Sequence, residues 1–164
     1  MRHARAIVSL PGVVAGIVPA LLALTGDVDI GWGLPAAVAW LPVVVGVALA
    51  ALGLFLIAWT VSLFARVGEG TLAPWDPTAR LVVVGPYRHV RNPMISGVLL
   101  LVLGEAAVLG SLPVLVWFGC VLLVNAFYLP LVEEAGLRRR FGSDYERYRA
   151  NVPRWLPRPR PWDP

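Results

Sequence analysis

The sequence predicts an all-α integral membrane protein with about four transmembrane helices and a C-terminal cytoplasmic amphipathic helix. Of its 164 residues, 58% are hydrophobic and only 15% are charged, and the mean hydropathy is +0.73. Soluble domains carry about 25% charged residues, so this chain is too apolar to be one. Since a span needs about 20 apolar residues, we expect one domain over residues 1–164 with no room for a separate soluble domain.

The apolar runs place the spans at about residues 7–25, 34–64, 93–110 and 112–132. The first could instead be a cleaved signal peptide, but Thr25-Gly26-Asp27 is a poor cleavage site, and membrane helices tolerate internal proline and glycine. The second is longer than a bilayer requires, so we expect it to tilt or to project into water. The connection between the third and fourth is so short that these helices must form a tight antiparallel hairpin.

Beyond residue 132 the composition becomes strongly charged. The pattern predicts a helical extension, a break at Gly142 and a second helix in which Ser143 and Glu146 form a capping box. That helix should end before Pro153, and the remaining tail should be interfacial or disordered.

All fourteen basic residues are arginines, and they lie before the first span, between residues 66 and 91, and after residue 133. The opposite loops carry none, so the positive-inside rule predicts that both termini are cytoplasmic, in a protein of the plasma membrane. Arginines beside spans favour membrane lipids as partners, and no nucleic-acid-binding motif is present. The oligomeric state stays open.

No metal site is predicted. Cys120 is the single cysteine and lies in an apolar run, while His89 has no second ligand at a suitable spacing. Glu105 in the third span has two interpretations: a functional intramembrane carboxylate, or a solvated side chain near the far interface.

The polar chemistry is concentrated in the segment Gly85-Pro86-Tyr87-Arg88-His89-Val90-Arg91-Asn92-Pro93-Met94, between two apolar runs. Arg91 can bind a carboxylate or phosphate through two donors, and Asn92 can either cap the third span or contact a ligand. At the end of the fourth span, Glu133 and Glu134 point about 100° apart, so at least one should face the helices. The alternative is a solvated pair of charges.

These residues, followed by Leu137, Phe141-Gly142, Tyr145, Tyr148 and Val152-Pro153-Arg154, resemble the isoprenylcysteine carboxyl methyltransferase and phospholipid methyltransferase superfamily over residues 80–157. The usual Arg-His-Pro-x-Tyr motif reads Arg91-Asn92-Pro93-Met94-Ile95, so a titratable imidazole and a phenol are replaced. The resemblance implies an integral membrane enzyme that transfers the methyl group of S-adenosylmethionine, with S-adenosylhomocysteine as product. It also implies a lipid-like or small apolar acceptor that enters between the helices.

By the same resemblance, the cofactor region comprises residues 80–95 and 133–157 on the cytoplasmic side. It implies Arg91, Glu133 and Glu134 as catalytic residues. The implied cofactor-binding residues are Tyr87, Val90, Arg91, Asn92, Pro93, Met94, Glu133 and Glu134. Two other functions fit the pattern: an NADPH-dependent membrane reductase, and a non-catalytic membrane binding protein.

Overall fold

A computed structural model describes residues 8–67 and 81–163, and within these ranges all regular secondary structure is helical. The first residue of the predicted first span, residue 7, lies outside them, as do the N-terminal arginines and residue 80 of the predicted cofactor region. The helices are α1 (Val18–Thr25, after a π-helical segment Val8–Ile17), α2 (Trp40–Val67), α3 (Pro93–Leu109), α4 (Leu112–Tyr128) and α5 (Glu134–Asn151), with a second π-helical segment, Leu129–Glu133, between α4 and α5.

Two helices are long and apolar enough to cross a bilayer. They are the segment Trp40–Leu63 and the continuous helix Leu112–Asn151, whose apolar part ends near residue 132. The apolar helices Pro11–Thr25 and Pro93–Leu109 are shorter than the usual span of about 20 residues. The described residues thus contain two candidate spans, and the four-span arrangement stays a prediction.

Helix α2 begins later than the apolar run that predicts it. Three consecutive residues, Gly31, Trp32 and Gly33, have positive φ angles of 98°, 58° and 64°. This loop precedes the predicted start at residue 34, and a further turn follows it, in which the N–H groups of Val38 and Ala39 both donate to the carbonyl of Pro35. The backbone forms tight turns up to residue 39, and the helix begins at Trp40.

The most extensive contact between helices joins α2 to α3. Two glycine pairs lie at this crossing, Gly46 with Gly104 and Gly53 with Gly97. A methyl group on Gly53 would lie 2.6 Å from the carbonyl oxygen of Gly97, and one on Gly104 would lie 2.5 Å from that of Gly46. Small residues allow membrane helices to approach closely, and these pairs show that α2 and α3 are antiparallel.

Helices α3 and α4 form the predicted hairpin, with Gly110 in the left-handed conformation at φ 58°. Indole hydrogen bonds join the N-terminal π-helical segment and the loop before α2 to this hairpin. Trp117 donates to the carbonyl of Val14 at 2.8 Å, and Trp32 donates to the carbonyl of Ala107 at 3.1 Å. The hairpin turn and Asp29 therefore lie at one end of the helices, and residues 85–92 and 133–163 lie at the other.

The C-terminal region follows the prediction at one point and departs from it at another. Gly142 has φ 51° and ψ −124°, which confirms the predicted break in the helix. The tail, residues 152–163, is not the disordered end that was one of its two predicted states, because its backbone pairs with residues 88–91. Tyr145, Tyr148 and Val152 form a small buried core between α5 and this segment.

Candidate functional site

Glu134 is the buried centre of the arginine-rich end of the molecule. Its Oε1 accepts a hydrogen bond from Nε of Arg154 at 2.6 Å and lies 2.9 Å from Nη1 of Arg91. Nε of Arg149 lies 3.6 Å from its other oxygen. The residue is only 3% exposed, and a buried carboxylate requires such pairing to offset the loss of hydration. We call Glu134, Arg91, Arg149 and Arg154 the arginine cluster.

Three separate parts of the chain supply this cluster. Arg91 precedes α3, Arg149 lies on α5 and Arg154 lies in the tail. The three guanidinium groups exceed the single central carboxylate in charge, so the cluster has an excess of positive charge. The hydrogen bond to Glu134 raises the pKa of Arg154, which keeps that side chain charged.

Arg91 has both a structural role and unused hydrogen-bonding capacity. Its backbone N–H donates to the carbonyl of Pro153 at 2.9 Å, and its Nη1 also donates to the hydroxyl of Tyr145 at 3.3 Å. Its Nε is buried and has no hydrogen-bond partner among the described residues. An unsatisfied buried donor is costly, so this N–H group is able to donate to an acceptor atom of an incoming ligand.

The tail holds the segment before α3 in place. The N–H of Arg158 donates to the carbonyl of His89, and the N–H of Trp162 donates to that of Arg88, both at 3.0 Å. The Arg88 side chain in turn contacts the carbonyl of Trp162 and the carboxylate of Asp163. The position of Arg91 therefore depends on residues more than sixty positions later in the sequence.

One cavity, of about 490 Å³, lies between the π-helical segment Val8–Ile17, α3 and α4 and has a carboxylate in its wall. We call it the Glu133 cavity. Glu133 is the first residue beyond the apolar segment 112–132, and it is surrounded by protein but keeps accessible surface at the cavity wall. Burial by surrounding protein and, secondarily, the charge of Glu134 raise the pKa of this carboxyl group. The other residues lining the cavity are mostly apolar or aromatic and include Met94, Trp117, Asn125 and Tyr128.

A second cavity, of about 590 Å³, lies on the other side of α3 and is walled by α2, α3 and the tail. We call it the α2–α3 cavity. Its lining is almost wholly apolar, with Trp59 and Trp155 among the aromatic residues. His89 and Ser96 are its polar residues, so this cavity has no carboxylate.

Comparison with known proteins gives one informative match. The family model for phospholipid methyltransferases matches residues 41–144. The chain belongs to the phospholipid methyltransferase family. No curated protein and no solved structure matches it. Membership indicates a membrane-associated methyltransferase with substrates of the membrane-lipid type, in agreement with the resemblance noted from the sequence.

In this family member, the two predicted glutamates have different surroundings. Glu134 lies in the arginine cluster, whereas Glu133 lines the cavity beside it. Arg91 and Glu134, predicted as parts of one site, are in direct contact. Met94 lines the Glu133 cavity, but Val90 lines the α2–α3 cavity on the other side of α3.

The remaining predicted residues shape the start of α3. Pro93 is fully buried as its first residue. The side chain of Asn92 makes no capping hydrogen bond, although the Asn92 carbonyl accepts from both the N–H and the hydroxyl of Ser96 at 3.0 Å. Tyr87 accepts a hydrogen bond from the hydroxyl of Tyr148 at its carbonyl, at 2.7 Å.

Arg149 and Arg154 are the site residues that reasoning from the sequence did not assign. Arg154 belongs to the Val152-Pro153-Arg154 triplet of the family pattern, which could have marked it as a site residue. Its contact with Glu134 could not be predicted from the spacing of the two residues in the sequence. Among the described residues, no group of three His, Cys, Asp or Glu side chains is arranged to hold a metal ion.

Proposed function

We propose that this protein transfers the methyl group of S-adenosylmethionine to a lipid-type acceptor at the arginine-rich end of its helices. We further propose that this end is cytoplasmic, as the positive-inside rule requires. The observation that carries the proposal is the Glu133 cavity beside the arginine cluster, in a chain that belongs to a methyltransferase family. The volume of about 490 Å³ lies within the range of about 300–1,000 Å³ usual for small-molecule sites.

The lining of the cavity suits a sulfonium cation. Carboxylates attract positive charge, and aromatic faces attract cations through their quadrupole. Glu133 supplies the carboxylate, and Tyr128 and Trp117 supply the aromatic rings. Asn125 adds an amide whose nitrogen already donates to the carbonyl of Val121 at 2.8 Å, so its oxygen remains for a hydroxyl or amine of the ligand.

The arginine cluster suits the carboxylate of the same cofactor. It has an excess of positive charge, and Nε of Arg91 is a buried donor that still needs a partner. We assign Arg91 to the cofactor carboxylate and Glu133 to the cationic part. Glu134 then acts as a positioning residue. It contacts both Arg91 and Arg154, and the contact with Arg91 holds the guanidinium group of Arg91 beside the cavity.

S-adenosylmethionine, when bound, supplies an activated methyl group that a nucleophile accepts by in-line displacement. The residues of the chain bind the cofactor, orient it and exclude water. Positioning of this kind is the main requirement for such a transfer. The apolar walls of the cavity formed by α3 and α4 perform the last of these tasks.

Calorimetric titration of the purified protein with S-adenosylmethionine and S-adenosylhomocysteine tests the proposal. We expect both to bind, and Glu133→Gln to weaken binding of the charged sulfonium more than that of the neutral thioether. Asp144→Asn is the matched control, because Asp144 forms an exposed ion pair with Arg147 outside the arginine cluster. Absence of binding by either compound would reject the proposal, and binding of NADPH in their place would favour a reductase.

A further inference from the structure

We propose that the α2–α3 cavity binds one hydrocarbon chain of a membrane lipid, and that Nε2 of His89 accepts a hydrogen bond from the polar head of that lipid. This binding is independent of the proposed function, because it involves a cavity that lies on the other side of α3 from the Glu133 cavity and that Glu133 does not line.

The dimensions of the cavity suit an extended chain. Its walls include Leu52 and Trp59 on α2, and Ser96 and Leu103 on α3. Each pair is separated by seven positions, which corresponds to about 10 Å along a helix. One leaflet contributes about half of a hydrocarbon core of about 30 Å, so the cavity follows most of the depth of one leaflet.

The cavity opens towards the surface that we expect to face lipid. Leu52 and Trp59 line it, yet they are 48% and 39% exposed. Phe55, whose ring centroid lies 5.5 Å from that of Trp59, is also exposed, so this side of α2 is an apolar surface. A chain from the bilayer can enter here without crossing water, whereas a polar small molecule would find almost no hydrogen-bonding groups on the walls.

At the polar end of the cavity, the ring of His89 has an unused acceptor. Nδ1 of His89 lies 2.8 Å from the carbonyl oxygen of Arg158. A carbonyl can only accept, so Nδ1 must carry the proton of this hydrogen bond, and the neutral ring then has its lone pair on Nε2. The hydroxyl of Ser96 already donates to the carbonyl of Asn92.

The imidazole of His89 is also held firmly. The backbone N–H of His89 donates to the carbonyl of Pro86, and its carbonyl accepts from the N–H of Arg158, both at 3.0 Å. The ring therefore has a fixed tautomer and a fixed backbone beside the cavity. Such an acceptor selects a head group with an N–H or O–H donor over one whose nitrogen is fully alkylated.

Nuclear magnetic resonance of the imidazole nitrogens tests the head-group part without any cofactor. The chain has two histidines, so His3→Gln leaves His89 as the single labelled ring. In nanodiscs of a trimethylammonium-head phospholipid, we expect Nδ1 protonated and Nε2 unprotonated. Partial replacement by a primary-amine-head phospholipid with the same chains should shift the Nε2 resonance. A protonated Nε2 in the neutral ring, or no shift with the amine lipid, would overturn this assignment.

Photocrosslinking tests the chain part. A phospholipid with a diazirine near the end of one chain should label residues 52–59 and 96–103. Leu100 of α3 also lines the cavity, so Leu100→Trp fills it and should reduce labelling about tenfold, equivalent to about 1.4 kcal/mol. The matched control is Leu123→Trp, because Leu123 is an exposed apolar residue of α4 away from this cavity. Labelling that is spread over all apolar helices, or that is unaffected by Leu100→Trp, would refute chain binding.

Leu103→Trp provides a second filled variant if Leu100→Trp does not fold. The outcomes also separate the two proposals. A protein that binds S-adenosylmethionine but shows neither lipid effect rejects the α2–α3 cavity as a lipid site and leaves the methyltransferase proposal intact. A protein that shows both lipid effects but binds no cofactor rejects the methyltransferase proposal alone.

Discussion

Nη1 of Arg91 lies 2.9 Å from Oε1 of Glu134, and both side chains are at least nine-tenths buried. This contact connects the segment before α3 to the start of α5. Two further arginines approach the same carboxylate, so Glu134 balances more positive charge than any other described acidic residue. The stability of the arginine-rich end should therefore depend on this one side chain.

Replacement of Glu134 by alanine should destabilise the fold by about 3–5 kcal/mol, the range for removing one member of a buried ion pair. Arg91 and Arg154 would be left close together without their shared partner. Asp144→Ala, which removes an exposed ion pair with Arg147 outside the arginine cluster, should change stability by at most about 1 kcal/mol. Unfolding of the purified proteins in mixed detergent micelles measures both, and equal effects would contradict the central role of Glu134.

The sequence predicted the order of the apolar helices, the α3–α4 hairpin and the break at Gly142, because each depends on local signals. It also predicted that Glu133 and Glu134 point in different directions, since this follows from helical geometry. It could not assign Arg149 and Arg154 to Glu134, because that contact depends on how α5 and the tail fold back. The backbone hydrogen bonds between the tail and residues 88–91 could not be predicted either, and of the two expectations for the tail, interfacial or disordered, the disordered one is wrong.

The α2–α3 crossing illustrates a second limit. In a membrane protein, lipid-facing and buried side chains are both apolar, so hydrophobic periodicity does not identify the packed face. The only local signal was the seven-residue spacing of glycines, Gly46 to Gly53 and Gly97 to Gly104. That signal becomes informative only when both helices are considered together.

Gly97→Ala should therefore destabilise the protein by about 1–3 kcal/mol, because the added methyl group meets the backbone of Gly53 at 2.9 Å. Gly119→Ala is the matched control on α4, where an added methyl group meets nothing within 4 Å. That control should be neutral or stabilising by about 0.5–1 kcal/mol, since alanine favours a helix over glycine. Effects of the same sign in both variants would argue against the close crossing.

Glu133→Gln should stabilise the cofactor-free protein at neutral and higher pH. The pKa of Glu133 is raised above its ordinary value of 4.5, chiefly by burial and secondarily by Glu134. Stability associated with its neutral form is therefore complete below pH 4.5 and is lost as the pH rises through the higher folded pKa. Glutamine removes this loss.

Unfolding measured across this pH window checks the assignment. Wild type and Glu133→Gln should agree at the acidic end and diverge as the pH rises, with the variant more stable. Curves that stay parallel over the whole range would show that Glu133 does not titrate in this environment. The same substitution should weaken binding of a cationic ligand, so stability and affinity should change in opposite directions.

Arg91→Lys should lower affinity for S-adenosylmethionine by about 1.5–3 kcal/mol, the range for hydrogen bonds that involve charged groups. Lysine keeps the charge but has neither Nε nor the planar fork that contacts Glu134 and Tyr145. Arg88→Lys is the control, because Arg88 pairs with the exposed side chain of Asp163. Calorimetry should find nearly unchanged affinity in that variant, and wild-type affinity in both would remove Arg91 from the site.

The last prediction concerns which ends of the helices face the cytoplasm. Asp29 lies beside the α3–α4 turn, where an atom added at Gly110 would meet its backbone, whereas Asp144 lies on α5 at the arginine-rich end. If four apolar helices cross the bilayer, these two positions must lie on opposite sides, and the positive-inside rule puts residue 144 in the cytoplasm.

Single cysteines at 29 and 144, in a Cys120→Ala background, can be labelled in intact cells with a membrane-impermeant maleimide. We expect labelling at position 29 from outside and at position 144 only after the cells are opened. If both positions react from the same side, the helices cannot form four antiparallel spans, and the cofactor residues would need to be assigned to a different membrane face.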